Sequence, residues 1–94
     1  MNNVLYGNLQ SNTIDINTVR NYDSPQGATT VYIATDAIVR VTTDGVTTPT
    51  ATAGLLIPGG STAVFACRHN TTNGVRIFAT AAANVSVQFL GSGR

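Results

Sequence analysis

Short runs of β-branched and apolar residues, each ended by a turn signal, are the feature that most constrains how this chain can fold. The segment 84–90 is the clearest example, because Val85, Val87 and Phe89 occupy alternate positions with polar residues between them. A period of two is typical of a strand with one buried and one exposed face. The single Ala-rich stretch, residues 79–84, is too short for an independent helix, so the chain is predicted to be all-β.

Gly, Pro, Asn and Asp separate the predicted strands. Asp44-Gly45 predicts a two-residue hairpin, because Gly accepts the positive φ that a type I′ turn requires. The second strand of that hairpin, 46–52, contains Pro49 and is expected at a sheet edge or broken. The predicted fold class is an antiparallel β-sandwich of about seven to eight short strands, with a small β-barrel as the alternative. The nine candidate segments, of which 4–9 has the weakest pattern and 46–52 is expected at an edge or broken, are 4–9, 13–22, 29–34, 37–43, 46–52, 55–57, 61–68, 75–80 and 84–90.

A single domain covering residues 1–94 is expected, because a chain of 94 residues fits one domain with a thin core. Within it, residues 1–12 are a candidate extended N-terminal arm and residues 91–94 a candidate frayed tail. The core residues predicted from the alternation are Val31, Ile33, Val39, Val41, Leu56, Phe65, Ile77, Val85, Val87 and Phe89.

Charged residues make up only 10% of the chain, against about a quarter in an ordinary soluble domain. Thr, Ser, Asn and Gly take their place, and the sequence contains no Lys, Glu or Trp. Because Lys commonly protects exposed strand edges, its absence favours a protein whose edges and faces are covered by other copies or partners. The net charge is +1 and the charges are spread singly, so no basic patch for nucleic acid is expected.

The sequence also predicts where the protein is made and whether it enters a membrane. No apolar run approaches the roughly 20 residues needed to cross a bilayer, so no membrane partner is expected. The first residues have neither the basic region nor the long apolar region of a secretion signal, which predicts synthesis in the cytoplasm.

No constellation of catalytic or metal-binding residues is recognisable in the sequence. Cys67 is the only cysteine, and it is expected to be a small buried residue of a strand, since no base with an orienting group accompanies it. One His and no Glu leave too few ligands for a zinc site. Asp23, Asp36 and Asp44 are expected to accept hydrogen bonds from turn backbone. The prediction is a protein that is not an enzyme, with no catalytic, metal-binding or cofactor-binding residues.

The candidates for contact with a partner are tyrosines and arginines, which are enriched at protein interfaces. Tyr22 and Tyr32 are also compatible with the edge of the core. The full set of candidate contact residues is Tyr6, Tyr22, Tyr32, Arg20 and Arg40.

Three segments carry a family resemblance: Ala28-Thr29-Thr30-Val31-Tyr32-Ile33-Ala34, Leu55-Leu56-Ile57-Pro58-Gly59-Gly60 and Asn84-Val85-Ser86-Val87-Gln88-Phe89. Together, over roughly residues 28–90, the chain resembles small β-sandwich structural proteins of tailed bacteriophages that are found among the head genes. The resemblance has no invariant functional motif, and the segment before residue 28 is unmatched.

The resemblance implies a virion component, most simply a capsid decoration or cement protein made in the host cytoplasm and bound to the outside of the head. Its partner would be the major capsid protein at points where capsomers meet, and a homo-oligomer, favoured as a trimer, would be expected. A carbohydrate- or receptor-binding module, such as a tail-fibre or lectin-like domain, is the alternative from another class, because one fold serves many functions. A tail or connector component is the nearer competitor among virion proteins.

Overall fold

The protein is built from eight strands and no helix, in a computed structural model that describes residues 3–92 apart from the side chains of Asn3, Val4, Tyr6 and Ser92. The strands form two antiparallel sheets of four, which confirms the all-β sandwich prediction. We call the sheet with strand order β1-β8-β3-β6 sheet A, and the sheet with order β2-β7-β4-β5 sheet B. The strands are β1 (Asn3–Ile14), β2 (Val19–Ser24), β3 (Ala28–Thr35), β4 (Val39–Thr42), β5 (Leu55–Ile57), β6 (Ser61–Ala66), β7 (Thr71–Ala79) and β8 (Ala83–Ser92).

The connectivity is that of a jelly roll. The strands pair from the outside of the chain inward, β1 with β8, β2 with β7, β3 with β6 and β4 with β5, as in one long hairpin rolled up on itself. The roll is closed by the pairing of β8 with β3 in sheet A and of β7 with β4 in sheet B. Eight strands in this arrangement make the double-sheet jelly roll, a fold that occurs in viral capsid and lectin domains.

The core lies between the two sheets and consists mainly of valine and isoleucine. Sheet A supplies alternate residues of β3 and β8, and sheet B supplies alternate residues of β4 and β7, so that each strand buries one face. The largest side chain that is buried almost completely is that of Phe89. The buried apolar residues are Ile14, Tyr22, Ala28, Val31, Ile33, Val39, Val41, Ile57, Val75, Ile77, Ala79, Ala83, Val85, Val87 and Phe89.

Two predicted core residues differ from expectation. Leu56 is 53% exposed, because β5 is an edge strand and Leu56 pairs with Arg40 on the outer face of sheet B. Phe65 is partly buried and packs against the core from β6, the other edge strand at this side of the sandwich. The remaining predicted core residues are buried as expected.

The predicted strand 13–22 is interrupted by a turn. Asp15 O accepts from both Thr18 N (3.2 Å) and Thr18 Oγ1 (2.6 Å), and Asn17 adopts a φ of 61°. Asn tolerates this left-handed conformation better than most residues. The turn allows the chain to leave sheet A at Ile14 and to enter sheet B at Val19.

The hairpin predicted at Asp44-Gly45 is wrong. The turn does form, with Gly45 at φ 75°, but residues 46–52 do not return along β4 as a strand. The Asp44 carboxylate accepts hydrogen bonds from the Val46 and Thr47 backbone, which directs the chain into a loop. The antiparallel partner of β4 is instead β5.

The N-terminal segment expected as an extended arm is a strand of sheet A from Asn3 onward. Its residues pair with β8 from Asn3↔Ser92 to Ile14↔Ala83, with a register shift between Tyr6 and Gln10. Pairing supplies partners for backbone groups that an unpaired arm would leave to water. Of the expected C-terminal tail, residues 91 and 92 belong to β8, and residues 93 and 94 lie outside the described part of the chain.

Replacement of Gly74 by Ala tests how closely β7 packs against the end of β2. A Cβ at this position would lie 2.5 Å from Ser24 Oγ and 3.1 Å from Thr71 O. Ser24 is buried, and its hydroxyl donates to the carbonyls of Arg68 and Thr71. We expect Gly74→Ala to lower the free energy of unfolding by about 1–3 kcal/mol, measured by urea denaturation.

A double-mutant cycle with Ser24→Ala is the control for this effect. Loss of the Ser24 hydroxyl makes room for the new methyl group, so the two changes should cost less together than the sum of their separate effects. Strict additivity would contradict a steric origin in this contact.

Candidate interaction surface

Sheet A contains no charged residue in any of its four strands. The sequences of β1, β3, β6 and β8 are NVLYGNLQSNTI, ATTVYIAT, STAVFA and ANVSVQFLGS, without Asp, Arg or His. In sheet B, by contrast, β2 carries Arg20 and Asp23, β4 carries Arg40 and β7 carries Arg76. The two faces of the molecule therefore differ in electrostatic character.

The register of sheet A brings apolar residues together on its outer side. Tyr32 of β3 lies between Gln88 of β8 and Val64 of β6. In the next row of the same side, Leu90 pairs with both Leu5 and Thr30. We call this outer side of sheet A the uncharged face.

Large apolar side chains are exposed on the uncharged face. Leu5 is 62% exposed, Val64 is 53% exposed and Tyr32 is 39% exposed. Leu9, which lies in the irregular part of β1 between Tyr6 and Gln10, is 59% exposed. Exposed apolar residues that share one side of a sheet mark interaction sites more often than residues scattered singly over the surface do.

The outer side of sheet B is covered instead by the loop 43–54, which we call the strap. Arg76 reaches over it, with Nη1 donating to Thr48 Oγ1 (2.9 Å) and Nη2 to Gly45 O (3.3 Å). Arg40 donates from Nη1 to Gly54 O (3.1 Å). Pro49, a residue of the strap itself, is buried. Two of the five arginines of the chain thus hold the strap in place.

The strap is also stabilised from within by Asp44. Its Oδ1 accepts from Val46 N (2.9 Å) and Thr47 N (2.8 Å), and its Oδ2 accepts from Thr47 Oγ1 (2.7 Å). These hydrogen bonds, the Thr47 hydroxyl first, lower the pKa of Asp44 to about 2, because they favour the ionised carboxylate. The expected role of Asp44 in turn backbone is confirmed.

The aspartates at positions 23 and 36 serve the fold over longer distances. Asp23 Oδ1 accepts from Asn73 N (2.8 Å), which joins β2 to β7. Asp36 accepts from Asn84 N and Asn84 Nδ2, both at 2.8 Å, which fixes the loop after β3 to the start of β8. The two bonds from Asn84 lower the pKa of Asp36 below its usual value. The expected donors were backbone amides of the turns themselves, whereas the observed donors are amides of β7 and β8, 50 and 48 positions away in sequence.

Tyr22 and Arg20, two of the candidate contact residues, lie side by side in β2. Tyr22 is only 2% exposed, and its hydroxyl donates to Asn12 Oδ1 (3.0 Å), so it is a core residue that ties β2 to β1. Burial raises the pKa of Tyr22, against a smaller opposing effect of Arg20. The Arg20 guanidinium lies 5.7 Å from the centroid of the Tyr22 ring, at the open edge of sheet B.

The other three candidate contact residues have different surroundings. Tyr32 lies on the uncharged face, with its ring partly exposed. Arg40 is committed to the strap, and its Nε is buried without a hydrogen-bond partner among residues 3–92. The backbone of Tyr6 pairs with Phe89, and its side chain lies outside the described part of the structure.

The residues with nucleophilic or metal-binding chemistry are not gathered into a site. Cys67 is partly buried against the core, and burial raises the pKa of its thiol, which disfavours the reactive thiolate. Within residues 3–92 no three His, Cys or Asp side chains form a group that could hold a metal ion. The same residues contain no helix of the length and hydrophobicity needed to cross a bilayer.

A cleft lies between the strap and β5 and is open to solvent. Its polar groups include the Thr42 hydroxyl, which donates to Thr47 O (2.6 Å), and the Asp44 carboxylate described above. These groups are already bonded within the strap, so the cleft lacks a convergent set of polar atoms for a ligand. The residues that line it are Val41, Thr42, Thr43, Asp44, Thr47, Gly54 and Leu55.

The uncharged face was not predicted from the sequence, although part of the signal is there. The absence of charge from each of the four strand segments can be read directly from the sequence. That these four segments share one sheet depends on the jelly-roll pairing, which the sequence does not reveal.

Comparison with protein-family models, with curated proteins and with solved structures gives no match to this chain.

The pKa of Asp44 predicts that the strap loosens in acid. A carboxylate with a lowered pKa stabilises the folded state fully above its ordinary pKa near 4, and that contribution is lost as the pH falls toward about 2. We expect the amide NMR signals of Val46 and Thr47 to shift with a midpoint near pH 2 as their hydrogen bonds to Asp44 weaken.

The control for this titration is Asp44→Asn, which keeps an acceptor oxygen but has no charge to titrate. In that variant the signals of Val46 and Thr47 should not move between pH 4 and pH 2. A midpoint near pH 4 in the unmodified protein would mean that these hydrogen bonds do not act on the carboxylate.

Proposed function

We propose that this protein is a non-enzymatic structural component of a virion, a decoration or cement protein that binds the outside of the head shell through its uncharged face. The observation that carries the proposal is the absence of charge from sheet A together with the exposed Leu5, Tyr32 and Val64. The family resemblance described above and the occurrence of jelly rolls in capsid domains point in the same direction.

Covering the uncharged face costs little free energy of desolvation, because the face carries no charged groups. Charged groups resist burial, because they must give up water and find partners, and the centres of protein interfaces are accordingly poor in charge. The uncharged face has only the hydroxyl and amide groups of residues such as Ser11 and Gln88 to satisfy. Covering Leu5, Leu9 and Val64 would contribute apolar burial without that cost.

The properties of the uncharged face also indicate the chemistry of the partner surface. The complementary surface of the major capsid protein would be flat, uncharged and partly apolar, to match four strands spaced about 4.8 Å apart. Tyr32, near the middle of the face, would be the main anchor, because Tyr combines a large apolar ring with a hydroxyl that can bond across an interface. In this proposal the uncharged face lies against the outside of the head shell, and the strap has no role.

A carbohydrate-binding role is the competing function on the same face. The exposed Tyr32 ring beside Gln88 resembles part of a sugar platform. Its other neighbours, Val64 and Leu90, are aliphatic and offer no hydrogen bonds to sugar hydroxyls. The surface therefore suits an apolar protein partner better than a sugar.

Binding to head shells tests the proposal. Purified protein would be mixed with heads from which it has been removed, and its position determined by electron cryomicroscopy, with affinity measured by co-sedimentation. Tyr32→Asp should weaken binding at least about tenfold, because it removes a ring and places an unpaired charge in the interface.

Val46→Asp is the matched control, since Val46 is 74% exposed on the strap, at the opposite side of the molecule. This variant has the same change of net charge and should bind as the unmodified protein does. Equal binding by the Tyr32→Asp variant, or no binding of the unmodified protein to heads, would rule the proposal out. Binding to a glycan array in place of heads would favour the carbohydrate role.

A further inference from the structure

The four edge strands of the sandwich differ in how they are protected from pairing with another chain. β1 has a register shift between Tyr6 and Gln10, and β2 has one between Tyr22 and Ser24 in addition to its charged residues. β5 is only three residues long and is followed by Pro58. Bulges, charges and short length are the usual devices that block edge-to-edge pairing.

β6 has none of these devices. It is six residues long, Ser61–Ala66, and pairs with β3 in an unbroken register. It contains no charged residue and no proline. An edge of this kind is a template for a further strand.

The hydrogen bonds of β3 identify which backbone groups of β6 are unused by the chain itself. Cys67 N donates to Thr29 O (3.0 Å), in the register that pairs Val31 with Phe65. Bonded and non-bonded pairs alternate along an antiparallel ladder, so Ala63 and Phe65 direct their backbone groups toward β3. On the other side of β3, Asp36 N donates to Asn84 O (3.2 Å), which is the alternate set that the same rule requires.

The intervening residues of β6 therefore direct their N–H and C=O groups away from β3. These residues are Thr62, Val64 and Ala66, and their side chains are exposed. Val64 is the middle one of the three.

We propose that β6 pairs antiparallel with β6 of a second copy, about a two-fold axis at Val64. Val64 then faces Val64 of the other copy, and Thr62 faces Ala66 in both directions. All three outward N–H groups and all three outward C=O groups of each strand find partners in this register. The two copies of sheet A become one continuous eight-stranded sheet.

A second copy fits this edge because the register is self-complementary. The side chains that meet across the axis are small and uncharged, so no like charges oppose one another. The nearest charged residue, Arg68, falls opposite Gly60 of the other copy and not opposite another arginine. The assembly also ends at two copies, because each copy uses its unprotected edge strand, β6, and leaves none for a third copy.

β6 supplies the paired residues of this interface, and β5 of sheet B lies beside it. In this register the five residues 62–66 of each β6 face one another over about 17 Å, and the molecule is only 17 Å thick in its narrowest dimension, so the interface is small. We expect a dimer with a dissociation constant in the micromolar range. It differs from the trimer that the resemblance implies, and it does not depend on binding to heads.

The mass of the protein alone in solution tests the proposal. Analytical ultracentrifugation from about 1 µM to about 1 mM should show a concentration-dependent change from 9.7 kDa to twice that mass. Val64→Lys should raise the dissociation constant at least about tenfold, since it places two lysines opposite each other at the axis. Val46→Lys, on the strap, is the matched control and should dimerise as the unmodified protein does.

Two further variants separate loss of pairing from loss of folding. Val64→Pro removes an N–H that points away from β3, a change that edge strands tolerate, so it should prevent dimerisation while the circular dichroism spectrum of the folded chain is retained. Val64→Cys, combined with Cys67→Ser, should form an intermolecular disulfide on mild oxidation, because facing residues in such a pair have Cα atoms about 5.5 Å apart. Val46→Cys in the same background should not.

A monomer at every concentration, a trimer, or unchanged dimerisation of the Val64→Lys variant would overturn the proposal. So would a peptide of another protein that occupies β6 while the mass of the chain alone stays at 9.7 kDa. Because these measurements involve no heads, a failure here leaves the proposed head binding untouched, and the reverse also holds.

Discussion

The structure depends on burying one layer of aliphatic side chains between two sheets that are each only four strands wide. Val87 and Phe89 from sheet A meet Val41 and Ile77 from sheet B across this layer, and each of the four is almost completely buried. Neither sheet can bury these residues alone, so the sheets are stable only together. The jelly-roll connectivity satisfies this demand with short connections, because most successive strands alternate between the sheets.

The alternation of apolar and polar residues predicted the fold class and most of the core. This period of two is present in the sequence wherever a strand has one buried face and one exposed face. It predicted β8 and β3 well, since both are central strands of sheet A and alternate cleanly. It failed for residues 46–52, where the Asp44 carboxylate and two arginines of sheet B, Arg40 and Arg76, hold the chain as a strap. The arginine bonds join residues 14 to 31 positions apart in sequence, and a local pattern does not contain them.

The local sequence pattern also does not show which residues are exposed at the surface. Tyr22 and Tyr32 are equivalent as residue types, yet one is buried beside Asn12 and the other lies exposed beside Val64. The difference arises from the position of each strand: Tyr22 turns toward the core from β2, whereas Tyr32 turns outward from β3. Composition indicated a chain poor in charge, and the pairing of strands decides that the few charges are absent from the strands of one sheet.

The central position of β8 in sheet A has a consequence for biosynthesis. β8 is the last of the eight strands to leave the ribosome, yet β1 and β3 both pair with it. The first of the eight strands to be made must therefore wait, with its backbone groups unpaired, until the other seven have been translated. Sheet A is completed only after this contact between the two ends of the described chain closes, and folds dominated by such distant pairings form slowly. Growing chains are thus open to premature association during translation, and a lack of charge in β1 gives them little electrostatic protection against it.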